Sequence, residues 1–271
     1  METQKTNTKK VGLALGSGGF RGPAHIGVLK ALIDNNIPIN YLSGCSIGAW
    51  IAAHYAVHTD LDALANLFLE NQKAKLSFLF DITLKKGILS GDSIEKFLTK
   101  NLKNADFSET TIPLKLVTTD IVEGKKFVLS EGSLAKAVRA SISIPGAFKP
   151  INFKGKILTD GAITSPLPVA ELKEMGAELT IACNLYNHYV RNNSQLKTGN
   201  VILRNTEILL YNFSLATEPK PDIMLNPDTS RFYRISMLKK FWDKNIIKEM
   251  IKIGEEETLS QIKKIKQLLI V

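Results

Sequence analysis

Ser46 stands between two glycines in Gly44-Cys45-Ser46-Ile47-Gly48, and the residues on either side limit what that pentapeptide can be. Upstream, Ile39 to Ser43 ends an apolar, strand-like run; downstream, Ala49-Trp50-Ile51-Ala52-Ala53 opens an apolar helix. A strand that turns sharply into a helix pushes the central side chain out of the turn, and small flanking residues let the backbone close that tightly. The helix N-terminus then directs unpaired N–H groups and a partial positive charge toward whatever the serine meets. Such a chain predicts an α/β architecture with a serine nucleophile at a strand end. Taken alone, the pentapeptide is also compatible with an ordinary strand-to-helix turn.

A second strand–loop–helix unit precedes the elbow. Val11 to Leu15 reads as a short buried strand and Pro23 to Ile33 as a helix, with Gly16-Ser17-Gly18-Gly19-Phe20-Arg21-Gly22 between them. Backbone N–H groups in a glycine-rich loop are uncovered by side chains and can cradle an anion. A nucleotide phosphate loop would need Gly-x-Gly-x-x-Gly or Gly-Lys-Ser/Thr. Ser17 breaks the first pattern and nothing supplies the second. An oxyanion hole requires only N–H donors aimed where negative charge develops. That reading is favoured, because the elbow follows on the next strand. A third unit, Ile157-Leu158-Thr159-Asp160-Gly161-Ala162 followed by Pro166-Leu167-Pro168, delivers a carboxylate at a strand end before a glycine turn. By itself Asp-Gly is a plain turn signal.

These three motifs, in this order, resemble the bacterial patatin-like phospholipases, the family that includes the neuropathy-target-esterase-type lysophospholipases. The likeness is carried by the glycine loop with His25-Ile26-Gly27-Val28-Leu29, by the Ser46 elbow, and by Asp160-Gly161-Ala162. Lys86-Gly87-Ile88-Leu89-Ser90-Gly91 and Arg139-Ala140-Ser141-Ile142-Ser143-Ile144-Pro145-Gly146 add to it. It runs from about Lys9 to Leu185. The resemblance implies a three-layer fold with a mainly parallel central sheet covered by helices on both faces. It further implies a catalytic dyad of Ser46 and Asp160, with the N–H groups of Gly16, Ser17, Gly18 and Gly19, chiefly the last two, as oxyanion hole. Arg21 and Gly22 would brace that loop, Gly44 and Gly48 would shape the elbow, and Gly161 and Ala162 would complete the Asp-Gly-Ala motif. The substrate would be a phospholipid or lysophospholipid ester, with no metal or other cofactor. Two positions depart from the family: Ser17 stands where glycine is usual, and Cys45 where threonine is frequent.

An aspartate base must have its pKa raised by burial, or must take the proton only as attack develops, because the free carboxyl group is a weak base at neutral pH. The rival arrangement is a Ser46–Asp160–His188 triad of general α/β-hydrolase type, since those residues occur in that family's chain order. His188 lies in a polar stretch that reads as an exposed loop. His25 reads as a packed or loop-bracing histidine, and His54 and His58 as structural. A lipid-binding regulator without turnover is the non-enzymatic alternative.

Hydrophobic residues make up 44% of the 271, enough for one sizeable core. Strands are expected at Val11 to Leu15, Ile39 to Ser43, Lys115 to Thr119, Phe127 to Ser130, Ile157 to Asp160, Leu179 to Cys183 and Ile223 to Leu225. A capping box at Asp92 to Glu95 predicts a helix through Leu102. Leu67 to Leu89 is apolar without clear period and reads as core or as a lid. Asn192 to Gly199 reads as a polar loop. The division expected is a flexible N-terminus over 1–8, a catalytic domain over 9–230 and a basic helical extension over 231–271 packed on the same domain.

Cys45 and Cys183 read as buried thiols of a reducing compartment. The polar start lacks a secretory signal and no run spans a membrane, which predicts a cytoplasmic protein. The formal charge is +9, and 231–271 holds ten Lys/Arg against five Asp/Glu. With no nucleic-acid motif in view, that excess predicts peripheral contact with an anionic membrane. The C-terminal Ile247, Met250, Ile251, Ile262, Ile265 and Leu269 recur at helical spacing between lysines. This predicts either a helix packed on the domain with a solvated lysine face or, less favoured, a helix lying on lipid.

Overall fold

The structure is a computed structural model that describes residues 8–70, 91–186, 198–217, 219–234 and 243–270. Its strands are β1 (Val11–Leu15), β2 (Tyr41–Cys45), β3 (Leu114–Asp120), β4 (Lys125–Leu129), β5 (Ile151–Phe153), β6 (Lys156–Asp160), β7 (Leu179–Cys183) and β8 (Ile223–Leu225). The helices are α1 (Pro23–Asp34), α2 (Ile47–His58), α3 (Leu61–Leu69), α4 (Asp92–Asn101), α5 (Leu134–Ser141), α6 (Ala170–Glu174), α7 (Thr198–Leu215) and α8 (Lys244–Leu269). All seven strands expected from sequence are present, with boundaries shifted by up to two residues; β5 is additional.

The eight strands form one sheet. β3, β2, β1, β7 and β8 lie side by side and parallel, whereas β4 and β6 pair antiparallel with β3, and β5 with β6. The chain builds outward from β1 to β2 and β3, then returns to the far side of β1 as β7. A crevice at the carboxyl ends of the strands is expected where the order reverses in this way. Both the glycine loop after β1 and the elbow after β2 open there.

Register fixes how the two motif-bearing strands meet. β4 takes one edge of β3 over Leu116–Asp120. β2 must therefore lie on the opposite edge, where it pairs Cys45 with Val117. β6 shares that opposite edge, pairing Asp160 with Thr118. A strand running up and a strand running down thus meet end to end along one edge, with their carboxyl termini one residue apart in register.

Each face of the sheet has its own apolar layer. The larger includes Leu13, Leu15, Leu42, Leu116 and Leu158 packed with residues of α1, α2, α4 and α5. The smaller gathers Ala14 and Ala182 under Leu167, Val169 and Leu172 around α6. Helix α2 is enclosed from Gly48 to Ala56, which explains why its sequence is apolar on all sides. The C-terminal helix α8 lies on α1, where a Cβ at Gly27 would sit 1.9 Å from the Ile251 carbonyl and one at Gly254 1.9 Å from that of Ala24. Backbones that close require glycine at the crossing. Ile247, Met250, Ile265 and Leu269 are buried, and Lys248, Lys252, Lys263, Lys264 and Lys266 are exposed. The apolar stripe is therefore spent on the domain, the first of the two expectations for this helix.

Three local expectations need correction or fall elsewhere. Helix α4 is capped by Gly91 at φ 81°, not by a box at Asp92; Asp92 is its first residue, and the Arg139 guanidinium occupies the space a side chain at position 91 would need. Thr198 and Gly199 begin α7 and are not loop. Most of the apolar Leu67 to Leu89 stretch, His188 and residues 192–197 lie outside the described residues.

Candidate active site

β2 ends at Cys45 and α2 starts at Ile47, which leaves Ser46 alone to make the turn, at φ 54° and ψ −123°. A non-glycine residue in such a conformation carries about 1–3 kcal/mol of strain and persists only where its surroundings hold it. They do so closely. A Cβ at Gly48 would stand 2.1 Å from the Leu15 carbonyl oxygen, and one at Gly22 would stand 2.2 Å from Ile47 Cγ1. The elbow helix thus meets the backbone at the end of β1 at Gly48, and Gly22 of the loop leaves the room that the Ile47 side chain fills.

The Ser46 hydroxyl donates to Asp160 Oδ2 at 2.6 Å, and Asp160 Oδ1 accepts the Ala162 N–H at 2.8 Å. Both side chains are almost wholly buried. Burial pushes the Asp160 carboxyl group up to about 6, against the opposing pull of its hydrogen bonds from Ser46 and Ala162. The other groups that feel its charge are the Cys45 thiol and the Tyr186 phenol. At neutral pH the carboxylate form is still the majority, yet it is a better proton acceptor than an aspartate in water. Burial also pushes the Cys45 thiol well up, so Cys45 is held as thiol beside the elbow rather than as thiolate. Gly161 fits tightly between the Val117 carbonyl and Cys45 Sγ.

The glycine loop separates its N–H groups into two kinds. Gly16 N–H donates to the Cys183 carbonyl at 3.1 Å and Ser17 N–H to that of Pro166 at 2.8 Å. The N–H groups of Gly18 and Gly19 have no acceptor among the described residues. The four donors expected from sequence therefore narrow to two, because the first two complete the sheet end and the Pro166 turn. Ser17 keeps its side chain buried and places its hydroxyl 3.1 Å from Tyr186 Oη, which accommodates the departure from glycine.

Arg21 holds this loop from beneath. Its guanidinium donates to the Gly18 carbonyl at 3.2 Å and to Glu207 Oε1 of α7 at 2.8 Å, and it covers the Phe20 ring at 4.5 Å. The neighbouring Phe20 packs into a small separate core with Phe232, Ile246, Met250 and Ile253. His25 Nε2 lies 2.8 Å from the Gly16 carbonyl; that oxygen can only accept, so Nε2 bears the proton. Burial lowers the imidazole to about 4 and keeps it neutral. His25 is thus a loop brace. His54 and His58 stack on each other, and His58 bonds the Asn101 carbonyl, away from the serine.

Sequence reasoning did not find Ser141, Tyr186, Glu207 or Phe232. Ser141 lies within the Arg139–Gly146 segment already noted. The other three lie outside every motif, and their hydrogen bonds or contacts to the loop span well over a hundred residues.

Residues 13–173 match the family model described as patatin-like phospholipase. An uncharacterized NTE family protein of Mycobacterium tuberculosis is 35% identical over 186 residues, 68% of this chain and 51% of that protein. Lysophospholipase NTE1 of Pyricularia oryzae is 30% identical over 181 residues, 65% of this chain and 12% of that protein. The chain thus spans about half the length of the first of these relatives and much less of the second. In fold it is similar to VipD from Legionella pneumophila, with TM-score 0.55, 14% identity and coverage of 94% of this chain and 67% of that one. It is also similar to a chain of the ExoU–SpcU complex of the Pseudomonas aeruginosa type III secretion system. That match has TM-score 0.54 and 17% identity, and covers 97% of this chain and 53% of that one.

Proposed function

The chain belongs to the patatin-like phospholipase family, and from that premise we propose that it is a serine acyl hydrolase cleaving fatty-acyl esters of phospholipids or lysophospholipids. The observation that carries this reading is the 2.6 Å hydrogen bond from Ser46 Oγ to Asp160 Oδ2 at an elbow packed on a loop whose Gly18 and Gly19 N–H groups have no acceptor among the described residues. In the proposed reaction Ser46 Oγ attacks the ester carbonyl carbon while its proton passes to Asp160. The carbonyl oxygen becomes an oxyanion that Gly18 and Gly19 N–H would receive. Collapse of the tetrahedral species breaks the bond to the alcohol, which leaves with the proton from Asp160. Water then loses a proton to Asp160, attacks the acyl-enzyme and releases the fatty acid, returning the proton to Ser46.

Direct contact favours a dyad over a triad, because one carboxylate oxygen meets the serine and the other meets Ala162 N–H. His188→Ala is expected to retain activity on that basis. No helix among the described residues is long and apolar enough to cross a membrane. The exposed lysine face of α8 supports peripheral contact with an anionic bilayer, at about 1 kcal/mol per cation near the surface. The test is a panel of phospholipids, lysophospholipids and short p-nitrophenyl esters, with a fluorophosphonate label for Ser46. Ser46→Ala and Asp160→Asn should each lose about 10⁴-fold in kcat while remaining folded. A folded wild type that neither labels nor turns over any ester would favour the lipid-binding regulator.

A further inference from the structure

The turn that ends α5 holds both members of the Ser46–Asp160 pair by their backbones. Ser46 N–H cannot join the sheet, because the elbow has already left it; it donates instead to Ser141 Oγ at 2.8 Å. Ser141 Oγ in turn donates to the Val117 carbonyl at 2.7 Å, on the edge of β3 where β2 and β6 meet. Two residues on, the Ser143 carbonyl accepts Asp160 N–H at 3.0 Å and Thr159 Oγ1–H at 2.6 Å. Arg139, one of the largest fully buried side chains, fixes the turn through Ser143 Oγ at 2.5 Å and through the carbonyls of Gly91 and Lys149. Ser141 and Ser143 are completely buried.

We propose that Ser141 is a positioning residue of the active site: its hydroxyl holds the strained main chain of Ser46 in the register that aims Oγ at Asp160. The proposal rests on the reading of Ser46 as nucleophile. Its physical basis is that a buried N–H without an acceptor is costly, so removing the hydroxyl gives the elbow a reason to relax. The same loss would free the Val117 carbonyl, at the point of β3 against which both strand ends are set. A second buried serine provides the control. Ser43, on β2, is equally buried and its hydroxyl donates to the Pro168 carbonyl at 2.5 Å rather than to Ser46 or Asp160.

Ser141→Ala, Ser141→Thr and Ser43→Ala in the full chain test this, with kcat and KM on a short p-nitrophenyl ester and the Asp160 carboxyl titration followed by ¹³C NMR. Ser141→Ala should lose about 10- to 100-fold in kcat with KM changed by less than about 2-fold, since a displacement near 1 Å has that scale of effect. Its Asp160 midpoint should rise, because the Ser46 hydrogen bond that lowers it is weakened. Ser43→Ala should change neither quantity, and Ser141→Thr should recover most of kcat. Should Ser141→Ala not fold, Ser141→Cys is read in the same way, a thiol being a poor acceptor. Equal losses in the Ser43 and Ser141 variants, or an unchanged kcat and midpoint in Ser141→Ala, would overturn the proposal. An inert wild type would remove the hydrolase reading alone, because the Asp160 midpoint reports positioning without turnover.

Discussion

The two halves of the site are held in opposite ways. Around Ser46 and Asp160 the hydrogen bonds and strand pairings described above come from β2, β3, β6 and the turn that ends α5, all within the family-matched segment. The glycine loop is matched too, and His25 and the Pro166 carbonyl hold its start from within that segment, but its other holders lie beyond it: Tyr186 meets Ser17, Glu207 pairs with Arg21, and Phe232, Ile246, Met250 and Ile253 enclose Phe20. A Ser46–Asp160 pair held from within the family-matched segment sits beside a loop held in part from this chain's C-terminal third. The difference suggests that the chemistry is set by the sheet, while the poise of the proposed oxyanion donors is set by whatever the rest of the chain supplies.

The first way to break that contrast is through stability, where the largest effect is expected. Asp160 is neutralised more readily in the fold than in the unfolded chain, its midpoint moving from 3.8 to about 6. The fold therefore binds the extra proton, and the stability this confers is complete below the unfolded midpoint. It is lost as pH rises toward the folded one, amounting to about 3 kcal/mol from a shift of about 2 units. Asp160→Asn removes the buried charge and mimics the protonated carboxyl group, its amide oxygen accepting Ala162 N–H and its NH2 donating to Ser46 Oγ. It should match wild type near pH 3.5 and exceed it by up to about 3 kcal/mol at pH 8 in denaturant unfolding. In wild type the acid limb of kcat/KM should rise through about 6, the form without the proton being active. Equal stabilities at pH 8 would mean that the dyad side is not sealed as described.

A second comparison sharpens the loop side. Glu207→Gln leaves a hydrogen-bonding partner for Arg21 but removes the opposing charge, so the Gly18 carbonyl would compete for a guanidinium held less firmly. The expected result is a fall in kcat of about 10-fold, or about 1.4 kcal/mol, with KM little changed. Because α7 lies outside the matched segment, a loss here with no change in the Asp160 titration would separate the two halves experimentally. A shift in that titration would join them.

Legibility followed the same line. The elbow could be read from residues 39–53, since a strand, a single strained residue and a helix are adjacent in sequence. The strands around it were visible as apolar runs for the same reason. What local pattern could not provide was the antiparallel arrival of β6, which depends on the Lys154-Gly155 turn and on a free edge of β3. Only the resemblance joined Asp160 to Ser46, 114 residues away. Of the four donors anticipated in the loop, the resemblance favoured Gly18 and Gly19, but no local pattern separated them from Gly16 and Ser17. That distinction is made by the carbonyls of Cys183 and Pro166, which approach from other elements. The capping reading at Asp92 failed for a comparable reason, a distant arginine having claimed the space beside Gly91.

The smallest effect tests the contrast at its boundary. Ser17 sits in the loop, one residue before the proposed donors, yet its N–H already serves the Pro166 carbonyl and, among the described residues, its hydroxyl meets Tyr186 Oη. Ser17→Ala should therefore cost about 1 kcal/mol of stability, the ordinary worth of one buried hydrogen bond, and leave kcat within about 2-fold. Tyr186→Phe should reproduce the same loss, and the double variant should add little, since both delete one interaction. If Ser17→Ala instead lowered kcat tenfold without moving the unfolding midpoint, the serine would be part of the loop's chemistry rather than its packing. The border between what this chain holds rigid and what it leaves available would then lie one residue earlier, at Gly16.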